Sequence, residues 1–583
     1  MSLHKSQCLR TKVSKLYDNY ISKGSVNYKQ IPKVISGFEN STHYITALFL
    51  ECLLQLLKSS EKIQTNVSSF YLKAYLDGEI NLLESQFLID SIIKKSPLKT
   101  LYKISKRIPK FKLTFIPFED TLGLIYQTVK QLSNTQKEER YYTPEYLSDL
   151  CVSTLDINKD RVFLDPCCSS GNLLMRLLKR GANIENLYGC DLDEFSVTLA
   201  RVNLYLNSDK LTDEFFKLHI KKADGITYRC SVLPDVVISN PPYSVIEDDS
   251  ICAKYQKTLK SAARKRPFLA DLFVERYLKV LKEDGLIHFI LPEAILSVAS
   301  HAIVRSEIEK ISRVKSVRFL GDVFHDVQSH SIILTLEKSK HRYPKGEVIV
   351  NFKDRSYVIR RDRPLMDFNF RIQDSEAKIL KRIDESKNCV YLKDHATFVM
   401  GIVTGSNEDR LKTQKADDTQ SVIRGFDIHK FYVDEPTNYV SSDFSSFQQM
   451  AKEELYRKKG RIIYRFISRY PVCAIDDSQS LTLNSANFFI LNDDILNPYY
   501  VVGILNSSLM KFYFEKKFSQ LKVLRSHLES VPFVLCNDDR KKELIDLVKK
   551  IMSKDIRSDT DCFNDIKARI DKIVNSIYET DRD

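Results

Sequence analysis

Short apolar runs alternate with longer amphipathic stretches between residues 161 and 291. Short apolar runs are typical of buried strands, and apolar residues spaced three and four apart are typical of helices. The pattern predicts strands at 162–164, 187–190, 218–222, 236–239 and 286–291, and helices at 171–180, 193–207 and 268–282. Strands that alternate with helices indicate an α/β domain, in which helices cover both faces of a parallel, Rossmann-like sheet.

The pattern differs on either side of this region. Before residue 120 the apolar positions recur at helical spacing, as between Leu50 and Leu57. After about residue 340 the alternation is lost, and strand-like runs such as 461–467 and 488–491 mix with a few helices. Three regions are therefore predicted: an N-terminal helical region at 1–119, the α/β domain at 120–345 and a C-terminal α+β domain at 346–583.

Composition excludes a disordered protein and argues against a membrane protein. The 583 residues are 43% hydrophobic and 28% charged, as in ordinary globular proteins. No run of about 18 uncharged apolar residues occurs, and the first residues lack the apolar core of a signal peptide. The 12 cysteines have no paired spacing and the 11 histidines no ligand spacing. We therefore expect a reduced, intracellular protein without a metal site.

One motif carries candidate chemistry. Asn240-Pro241-Pro242-Tyr243 directly follows the apolar run 236–239. The prolines fix φ, so they direct the Asn240 side chain and the backbone carbonyls toward the carboxyl edge of the sheet, where ligands bind. The Asn240 amide oxygen and the Pro241 carbonyl are two acceptors that suit an exocyclic amine, and Tyr243 offers a face for stacking. An ordinary proline-rich turn is the alternative interpretation.

Acidic residues follow three of the predicted strands. Asp165 opens a turn of small residues that ends at Gly171, Asp191 follows the next strand, and Asp224 follows the third. An acid after the second strand suits ribose hydroxyls, and Asp224 could accept a hydrogen bond from an adenine amine. A single acid of this kind is more often a solvated strand end. Three in succession, followed by the Asn-Pro-Pro-Tyr motif, indicate a nucleotide-like cofactor.

In their order along the chain these motifs resemble those of the amino-methyltransferases that use S-adenosylmethionine. The resemblance is strongest to the TaqI-like DNA adenine-N6 methyltransferases of the gamma arrangement, in which the cofactor motifs precede the catalytic motif. It covers roughly residues 120–530. It implies S-adenosylmethionine as cofactor, a Rossmann-like methyltransferase domain at the centre and a DNA target-recognition domain at the C-terminus.

The resemblance implies roles for individual residues. The implied cofactor contacts are Tyr142, Thr143, Asp165, Cys167, Gly171, Asp191, Leu192 and Asp224. The implied catalytic residues are Asn240, Pro241, Pro242 and Tyr243. Tyr243 and Phe324 would stack on the two faces of a flipped-out adenine. The chain departs from the family at Ser169, where a glycine is usual and a positive φ would cost more. It departs also at Gly225, where an apolar side chain is common.

Two segments of the C-terminal half, 400–407 and 501–508, resemble the TaqI-like specificity domain. Between them, basic and aromatic residues interleave over 457–469, as a surface that contacts DNA phosphates would require. The predicted contacts are Arg457, Lys458, Arg461, Arg465 and Arg469. A solvated edge strand protected by charge is the alternative interpretation.

The net charge of +13 is concentrated near the N-terminus. Residues 1–139 hold 20 Lys and Arg against 12 Asp and Glu, and the segment 94–112 has eight basic residues and no acid. Lys99, Lys103 and Lys106 could share one helix face. That face is either simply solvated or lies along DNA phosphates outside the recognition site.

We therefore predict a site-specific methyltransferase that transfers a methyl group from S-adenosylmethionine to N6 of an adenine flipped out of double-stranded DNA. The alternatives are methylation of cytosine N4, rRNA or protein glutamine, the modification half of a fused restriction–modification enzyme, and a DNA-binding protein without catalysis. We expect a monomer in the prokaryotic cytoplasm, associated with the nucleoid and not with a membrane. A cognate restriction endonuclease is a candidate partner.

Overall fold

The computed structural model describes residues 20–82, 84–93, 96–133, 143–209, 211–323, 330–341, 346–361, 368–518 and 521–579. The chain divides into two compact units, Met1–Phe370 and Arg371–Asp583. Each unit is described separately below.

The first unit begins with helices. They are α1 (Ile31–Val34), α2 (Thr42–Ser59), α3 (Tyr71–Leu76), α4 (Gln86–Ile93), α5 (Leu98–Ser105) and α6 (Thr121–Leu132). Helix α2 starts where the Ser41 hydroxyl accepts the backbone N–H of Tyr44, which satisfies a free donor at the helix end. The helical character predicted for this region is confirmed.

These helices share one hydrophobic core with the sheet that follows. Leu53 of α2 belongs to the same buried cluster as Ile238 from the centre of the sheet. A buried carboxylate adds a polar link, because Asp120 accepts hydrogen bonds from the Tyr20 hydroxyl at 2.6 Å and the Asn203 amide at 2.7 Å. The boundary predicted at 119/120 therefore does not separate two cores.

A sheet of nine strands forms the centre of the first unit. The strands are β1 (Phe163–Asp165), β2 (Leu187–Asp191), β3 (Ile220–Lys222), β4 (Val236–Ser239), β5 (Leu286–Pro292), β6 (Ser312–Gly321), β7 (Ser331–Lys338), β8 (Gly346–Phe352) and β9 (Arg355–Arg361). Their order is β3-β2-β1-β4-β5-β7-β6-β8-β9. The strands from β3 to β5 are parallel, and β7 is antiparallel to β5. The strand order reverses between β1 and β4, which is the point where open α/β sheets bind ligands.

Seven α-helices in the described ranges directly precede β1 or connect strands of this sheet, and three of them, at 172–179, 194–206 and 269–280, are those that the sequence pattern predicts. They are α7 (Glu145–Ser153), α8 (Asn172–Lys179), α9 (Glu194–Leu206), α10 (Asp213–His219), α11 (Asp249–Gln256), α12 (Leu269–Val280) and α13 (Ala302–Ile311). Each strand and helix predicted between residues 161 and 291 is present, with ends that differ by at most a few residues. The Rossmann-like fold class is confirmed.

The boundary predicted after residue 345 is wrong. Strand β8 runs parallel to β6, and β9 pairs with β8 as a hairpin, so both strands extend the nine-stranded sheet. The first unit continues to Phe370. The sequence pattern misled here because a hairpin of two edge strands, with no helix between them, lacks the alternation that marks the rest of the sheet.

The second unit is α+β, as expected. Its helices are α14 (Asp374–Asp384), α15 (Leu392–His395), α16 (Asn407–Arg410), α17 (Glu453–Tyr456), α18 (Pro498–Asn506), α19 (Ser508–Lys517), α20 (Arg525–Glu529), α21 (Asp538–Ile551), α22 (Lys554–Ser558) and α23 (Thr560–Glu579). Its strands are β10 (Cys389–Tyr391), β11 (Ala396–Val399), β12 (Thr419–Ile423), β13 (Ile428–His429), β14 (Tyr432–Val433), β15 (Asn438–Ser441), β16 (Arg461–Arg465), β17 (Cys473–Asp476), β18 (Leu481–Thr482), β19 (Ala486–Leu491) and β20 (Pro532–Val534).

The strands of the second unit form small sheets. The four-stranded sheet has the order β11-β19-β16-β17, so β16 is an interior strand. Strands β15, β12 and β18 form a second sheet, and β10 pairs with β20 and β13 with β14. None of the helices within the described ranges has the length and hydrophobicity that crossing a bilayer requires.

Candidate functional site

A cleft of about 570 Å³ opens at the carboxyl ends of β1, β2, β3 and β4. Its position at the reversal of strand order is the one that a ligand site in such a sheet should have. It brings together eight of the residues predicted from the sequence: Cys167, Asp191, Leu192, Asp224, Asn240, Pro241, Pro242 and Tyr243.

The first wall of the cleft is built around Asp191, at the end of β2. Its two carboxylate oxygens accept the backbone N–H groups of Ser169 at 3.0 Å and Asp193 at 2.9 Å. Ser169 has a φ of +48°, so the turn takes the left-handed conformation for which a glycine would be cheaper. Leu192, the next residue, is 61% exposed and faces a cleft that an apolar ligand surface could cover.

Asp224, after β3, forms the second acidic position. Its carboxylate accepts from the Tyr255 hydroxyl at 3.0 Å, from Lys254 at 3.1 Å and from the Ile226 N–H at 3.0 Å. Burial alone would raise the pKa of this carboxyl, but the hydrogen bonds, led by that from Lys254, hold it below its ordinary value. Asp224 is therefore an ionised acceptor at neutral pH.

Gly225 occupies the position at which an apolar side chain is common in the family. Another residue forms the wall of the cleft here. A Cβ at this position would lie 2.2 Å from the carbonyl oxygen of Pro166 and 2.8 Å from the Phe273 ring. The Phe273 side chain itself lines the cleft at this point. An aromatic ring from α12 thus forms the wall, and only glycine leaves room for it.

The Asn-Pro-Pro-Tyr motif, the candidate catalytic segment, follows β4 and lines the cleft. The Asn240 amide donates to the Thr143 hydroxyl at 3.1 Å, and its oxygen accepts from the Tyr243 hydroxyl at 3.1 Å. The side-chain amide is therefore held from both ends. The carbonyl of Thr143 accepts from the Asn172 amide at 2.9 Å, which ties this arrangement to the start of α8.

Asp165 and Gly171 are not among the residues that line the cleft, and their predicted contacts with the cofactor stay predictions. Asp165 is 2% exposed and accepts from the Ser239 hydroxyl at 2.7 Å and the Cys167 N–H at 3.1 Å. Burial raises the pKa of Asp165 to about 7. Gly171 has a φ of +82°, and a Cβ there would lie 3.2 Å from Ala200. These residues shape the turn and do not line the cleft.

Two predicted residues, Tyr142 and Phe324, lie outside the described residues. The roles predicted for them in covering the cofactor and in stacking on a base remain predictions. Val323, the residue before Phe324, is partly buried and packs on the core that contains the helices and the sheet.

The structure corrects the proposed DNA contact at Arg461 in the second unit. Its guanidinium is 0% exposed and binds the Asp476 carboxylate, with the shorter distance 2.6 Å, and the carbonyls of Tyr456 and Ser480. Strand β16 is interior, so the alternative interpretation as an edge strand is wrong as well. The sequence pattern misled because a buried arginine in a strand cannot be told from an exposed one by residue type.

Arg465 also has an internal role. Its guanidinium donates to the carbonyls of Gly425, at 2.9 Å, and Ile428, at 2.5 Å, on either side of the highly exposed Phe426. Of the other predicted contacts, Arg457 is partly buried against Glu453, Gln420 and the Gln479 carbonyl, whereas Lys458 and Arg469 are exposed. The interleaved basic residues therefore do not form one surface.

Among the residues that sequence reasoning missed are Tyr255 and Phe273 on the cleft lining and Lys254 next to Tyr255. Lys254 and Tyr255 come from α11 and bind Asp224, and Phe273 comes from α12. No motif identifies them, because each reaches the cleft from a helix that lies after the catalytic motif in the chain. The six basic residues around Lys254 were a signal that could have drawn attention to this segment.

The residues of the cleft fit S-adenosylmethionine. Asp191, Asp224 and Glu247 place three carboxylates on its lining, which suits a ligand whose ribose hydroxyls, adenine amine and ammonium group all donate hydrogen bonds. Leu192 and Phe273 supply apolar surface for an aromatic ring. Fold and cleft together define an S-adenosylmethionine-dependent methyltransferase.

Comparison with known families makes the assignment more specific. Residues 118–393 match the family model "N-6 DNA Methylase", and residues 420–533 match "TaqI-like C-terminal specificity domain". In this chain an N-6 DNA methylase domain therefore precedes a TaqI-like specificity domain. The cofactor of the chain is S-adenosylmethionine.

Two curated relatives illustrate the family. Type II methyltransferase M.VspI of Vibrio sp. (strain 343) is 25% identical over 315 residues, which cover 53% of this chain and 74% of the relative. The type I restriction enzyme MjaVII methylase subunit of Methanocaldococcus jannaschii is 25% identical over 254 residues, which cover 40% of this chain and 42% of the relative. The chain thus spans most of one relative and less than half of the other.

A solved structure resembles the whole chain in fold. The type IIL restriction–modification enzyme MmeI, determined in complex with DNA, superposes with a TM-score of 0.56 at 12% identity. The match covers 98% of this chain and 96% of that chain. At this identity the likeness concerns the fold alone.

Proposed function

We propose that this chain is an adenine-specific DNA methyltransferase, which transfers a methyl group from S-adenosylmethionine to N6 of adenine within a specific sequence of double-stranded DNA. The observation that carries the proposal is the position of Asn240. Asn240 and the segment Pro241–Tyr243 line the same cleft as Asp191 and Asp224, at the end of the central strand β4.

The adenine amine is a poor nucleophile because its lone pair is delocalised into the ring. Acceptors at the Asn240 amide oxygen and the Pro241 carbonyl would bind its two N–H groups and favour a pyramidal nitrogen, which frees the lone pair for attack. This contribution is positioning and electrostatic stabilisation, and the chain needs no nucleophile of its own. S-adenosylmethionine, when bound, supplies a methyl group that its sulfonium has already activated.

Thr143 and Tyr243 contact the Asn240 side-chain amide from either side. The Thr143 hydroxyl accepts from the Asn240 amide nitrogen, so the amide oxygen is turned away from Thr143 and accepts from the Tyr243 hydroxyl. An adenine inside a duplex cannot reach this cleft, so the base has to be flipped out of the helix. The Tyr243 ring then offers one stacking surface for it.

Asp191, Leu192 and Asp224 are proposed to hold the cofactor. Asp191 has the position of an acid that binds ribose hydroxyls, and Leu192 the position of an apolar contact to the cofactor's adenine. Asp224 is an ionised acceptor that would bind the amine of that adenine. Cys167, on the turn after β1, also lines this part of the cleft.

Transfer of labelled methyl groups to duplex DNA tests the proposal, with digestion to nucleosides to identify the product. N6-methyladenine is expected. N4-methylcytosine would leave the enzyme class intact but refute the choice of adenine. Label in protein or RNA, and none in DNA, would overturn the proposal. The variant Asn240→Ala, which should bind the cofactor and transfer nothing, shows whether the signal arises in this cleft.

The proposal extends to the protein's setting. We infer a monomer that acts at the nucleoid in the prokaryotic cytoplasm, beside a restriction endonuclease of the same sequence specificity. Light scattering after gel filtration measures the mass against the 67.6 kDa of one chain. Digestion of DNA from cells with and without the methyltransferase identifies an endonuclease whose sites it protects.

A further inference from the structure

A strongly basic segment lies directly beside the candidate active site. Residues 254–266 contain six Lys and Arg and no acid. The segment runs from the end of α11 to the residue before Pro267, shortly before α12 begins. We call it the basic strip.

The basic strip is joined to the chain that follows the catalytic motif. The N–H of Ile246 donates to the Pro267 carbonyl at 2.9 Å, and the N–H of Leu269 donates to the Ser244 carbonyl at 3.0 Å. Ser244 is the residue after Tyr243, and both Ser244 and Leu269 line the cleft. The end of the strip therefore lies at the mouth of the cleft, where the backbone of a substrate strand must pass if its base is to enter.

A buried carboxylate holds the backbone of the strip in place. The N–H groups of Lys260 and Ser261 donate to the carboxylate of Glu275, at 2.8 and 2.7 Å. Glu275 is 1% exposed, and a buried carboxylate that accepts two backbone donors fixes them firmly. A segment that is already ordered loses little entropy when a ligand binds to it.

The six charges fall into two groups. Three have partners on the protein: Lys254 binds Asp224, Lys260 binds Glu307, and Arg264 donates to the Ser300 carbonyl. The other three are Lys257, Lys265 and Arg266, which are exposed and, over the part of the chain that the structure describes, form no ion pair. Three like charges on a rigid segment attract a polyanion.

We propose that Lys257, Lys265 and Arg266 bind backbone phosphates of the duplex beside the flipped adenine. This inference rests on the proposed function, which places DNA at the cleft. Because the contacts are to phosphates, they add affinity without choosing a sequence. The hydrogen bonds that join Pro267 and Leu269, directly after the strip, to the segment 244–246 let the same contacts position the loop that follows the catalytic motif.

The salt dependence of DNA binding tests the inference in the full-length protein. Each phosphate contact steepens the plot of log binding constant against log salt by about 0.9, so a variant with Lys257→Gln, Lys265→Gln and Arg266→Gln should flatten the slope by about two to three. The methylated sequence and the dissociation constant of S-adenosylmethionine should not change. The unchanged cofactor affinity also shows that the variant is folded.

A second triple variant, Lys99→Gln, Lys103→Gln and Lys106→Gln, removes the same charge from exposed positions on and next to α5. If this control flattens the slope and the strip variant leaves it unchanged, the inference is overturned. The phosphate contacts would then lie on the surface that carries Lys99, Lys103 and Lys106. Unchanged slopes in both would overturn it too. If the strip variant does not fold, the three single replacements should each reduce the slope by about 0.9. Failure of the unaltered protein to bind or methylate DNA would instead refute the proposed function.

Discussion

The hydroxyl of Tyr243 lies 3.1 Å from the amide oxygen of Asn240 and donates a hydrogen bond to it. That oxygen is the acceptor proposed for the amine of the target adenine. In the absence of a base, therefore, the motif satisfies its own acceptor, and an entering adenine has to replace a hydroxyl group. Burial raises the pKa of Tyr243, so the hydroxyl keeps its proton at neutral pH and remains a donor.

This contact predicts different outcomes for two substitutions of Tyr243. Tyr243→Phe removes the competing hydroxyl and keeps the ring, so methyl transfer should continue at the unaltered rate or faster. Tyr243→Ala also removes the stacking surface and should weaken binding of the flipped base by about 1–3 kcal/mol. Steady-state kinetics and the fluorescence of 2-aminopurine at the target position measure both effects. Equal loss in the two variants would mean that the hydroxyl itself takes part.

Thr143→Val should separate orientation of the motif from binding of the cofactor. If Thr143 orients Asn240, kcat should fall roughly fivefold, since a neutral hydrogen bond contributes about 1 kcal/mol, while the cofactor dissociation constant stays the same. A larger dissociation constant for the cofactor would support the role in cofactor binding that the sequence resemblance implies. Isothermal titration with S-adenosylmethionine distinguishes the two, and Thr143→Ser, which keeps the hydroxyl, should restore the rate.

Asp191→Ala should weaken cofactor binding by about 1–3 kcal/mol, as loss of a charged acceptor does. DNA binding without cofactor should change little. The control is Asp160→Asn, which removes an exposed carboxylate of the same unit away from the cleft. Equilibrium dialysis with labelled cofactor compares them, and equal affinities for Asp191→Ala and the unaltered protein would exclude the ribose contact.

Asp165 makes stability depend on pH. Its pKa is about 7 in the folded chain, against an ordinary value of 3.8, so the folded state keeps a proton that the unfolded state has lost. The stability should therefore fall as pH rises from about 4 to 7, by about 1.4 kcal/mol for each unit of pKa difference. Asp165→Asn should flatten this part of the profile. Urea unfolding of both proteins at several pH values measures it, and parallel profiles would contradict the prediction.

The second unit should be less stable in the variant Arg461→Ala. The expected cause is the loss of a buried ion pair, and not the loss of a contact to a DNA phosphate. Loss of one partner of a buried ion pair costs about 3–5 kcal/mol, because the other charge is left buried. Lys458→Ala, an exposed change three residues earlier, should alter the stability by less than about 0.5 kcal/mol. Urea unfolding compares the two variants. Equal stabilities would show that the Asp476 carboxylate finds another partner.

The sequence predicted the parallel part of the sheet well because two independent signals agreed there. Apolar runs marked the strands, and Asp191, Asp224 and Asn240 stood at the ends of three of them. Residues at the carboxyl ends of adjacent parallel strands must lie close together. The predicted strands were therefore enough to indicate that these residues form one site. Eight of the predicted site residues line the cleft for this reason.

Features that depend on long-range packing were not predictable in the same way. Asp165 has the sequence context of a cofactor ligand, yet its depth below the turn is set by Ser239, 74 residues later. Arg461 has the context of a surface residue, yet β19 and β17 flank its strand. In both cases the residue type is compatible with exposure and burial, and only the three-dimensional neighbours decide between them.

The hydrogen bond from Tyr20 to Asp120 has a consequence for where the chain can be divided. Asp120 also accepts a hydrogen bond from the Ser170 hydroxyl. The neighbouring residue in this turn, Ser169, donates its backbone N–H to Asp191. The catalytic module is thus larger than its family match, and a graft that begins at residue 118 would leave a buried carboxylate short of a donor. The chain divides more cleanly after Phe370. Recombination at this point would join the intact first unit, with its N-terminal helices, to a different second unit and so to a different target sequence.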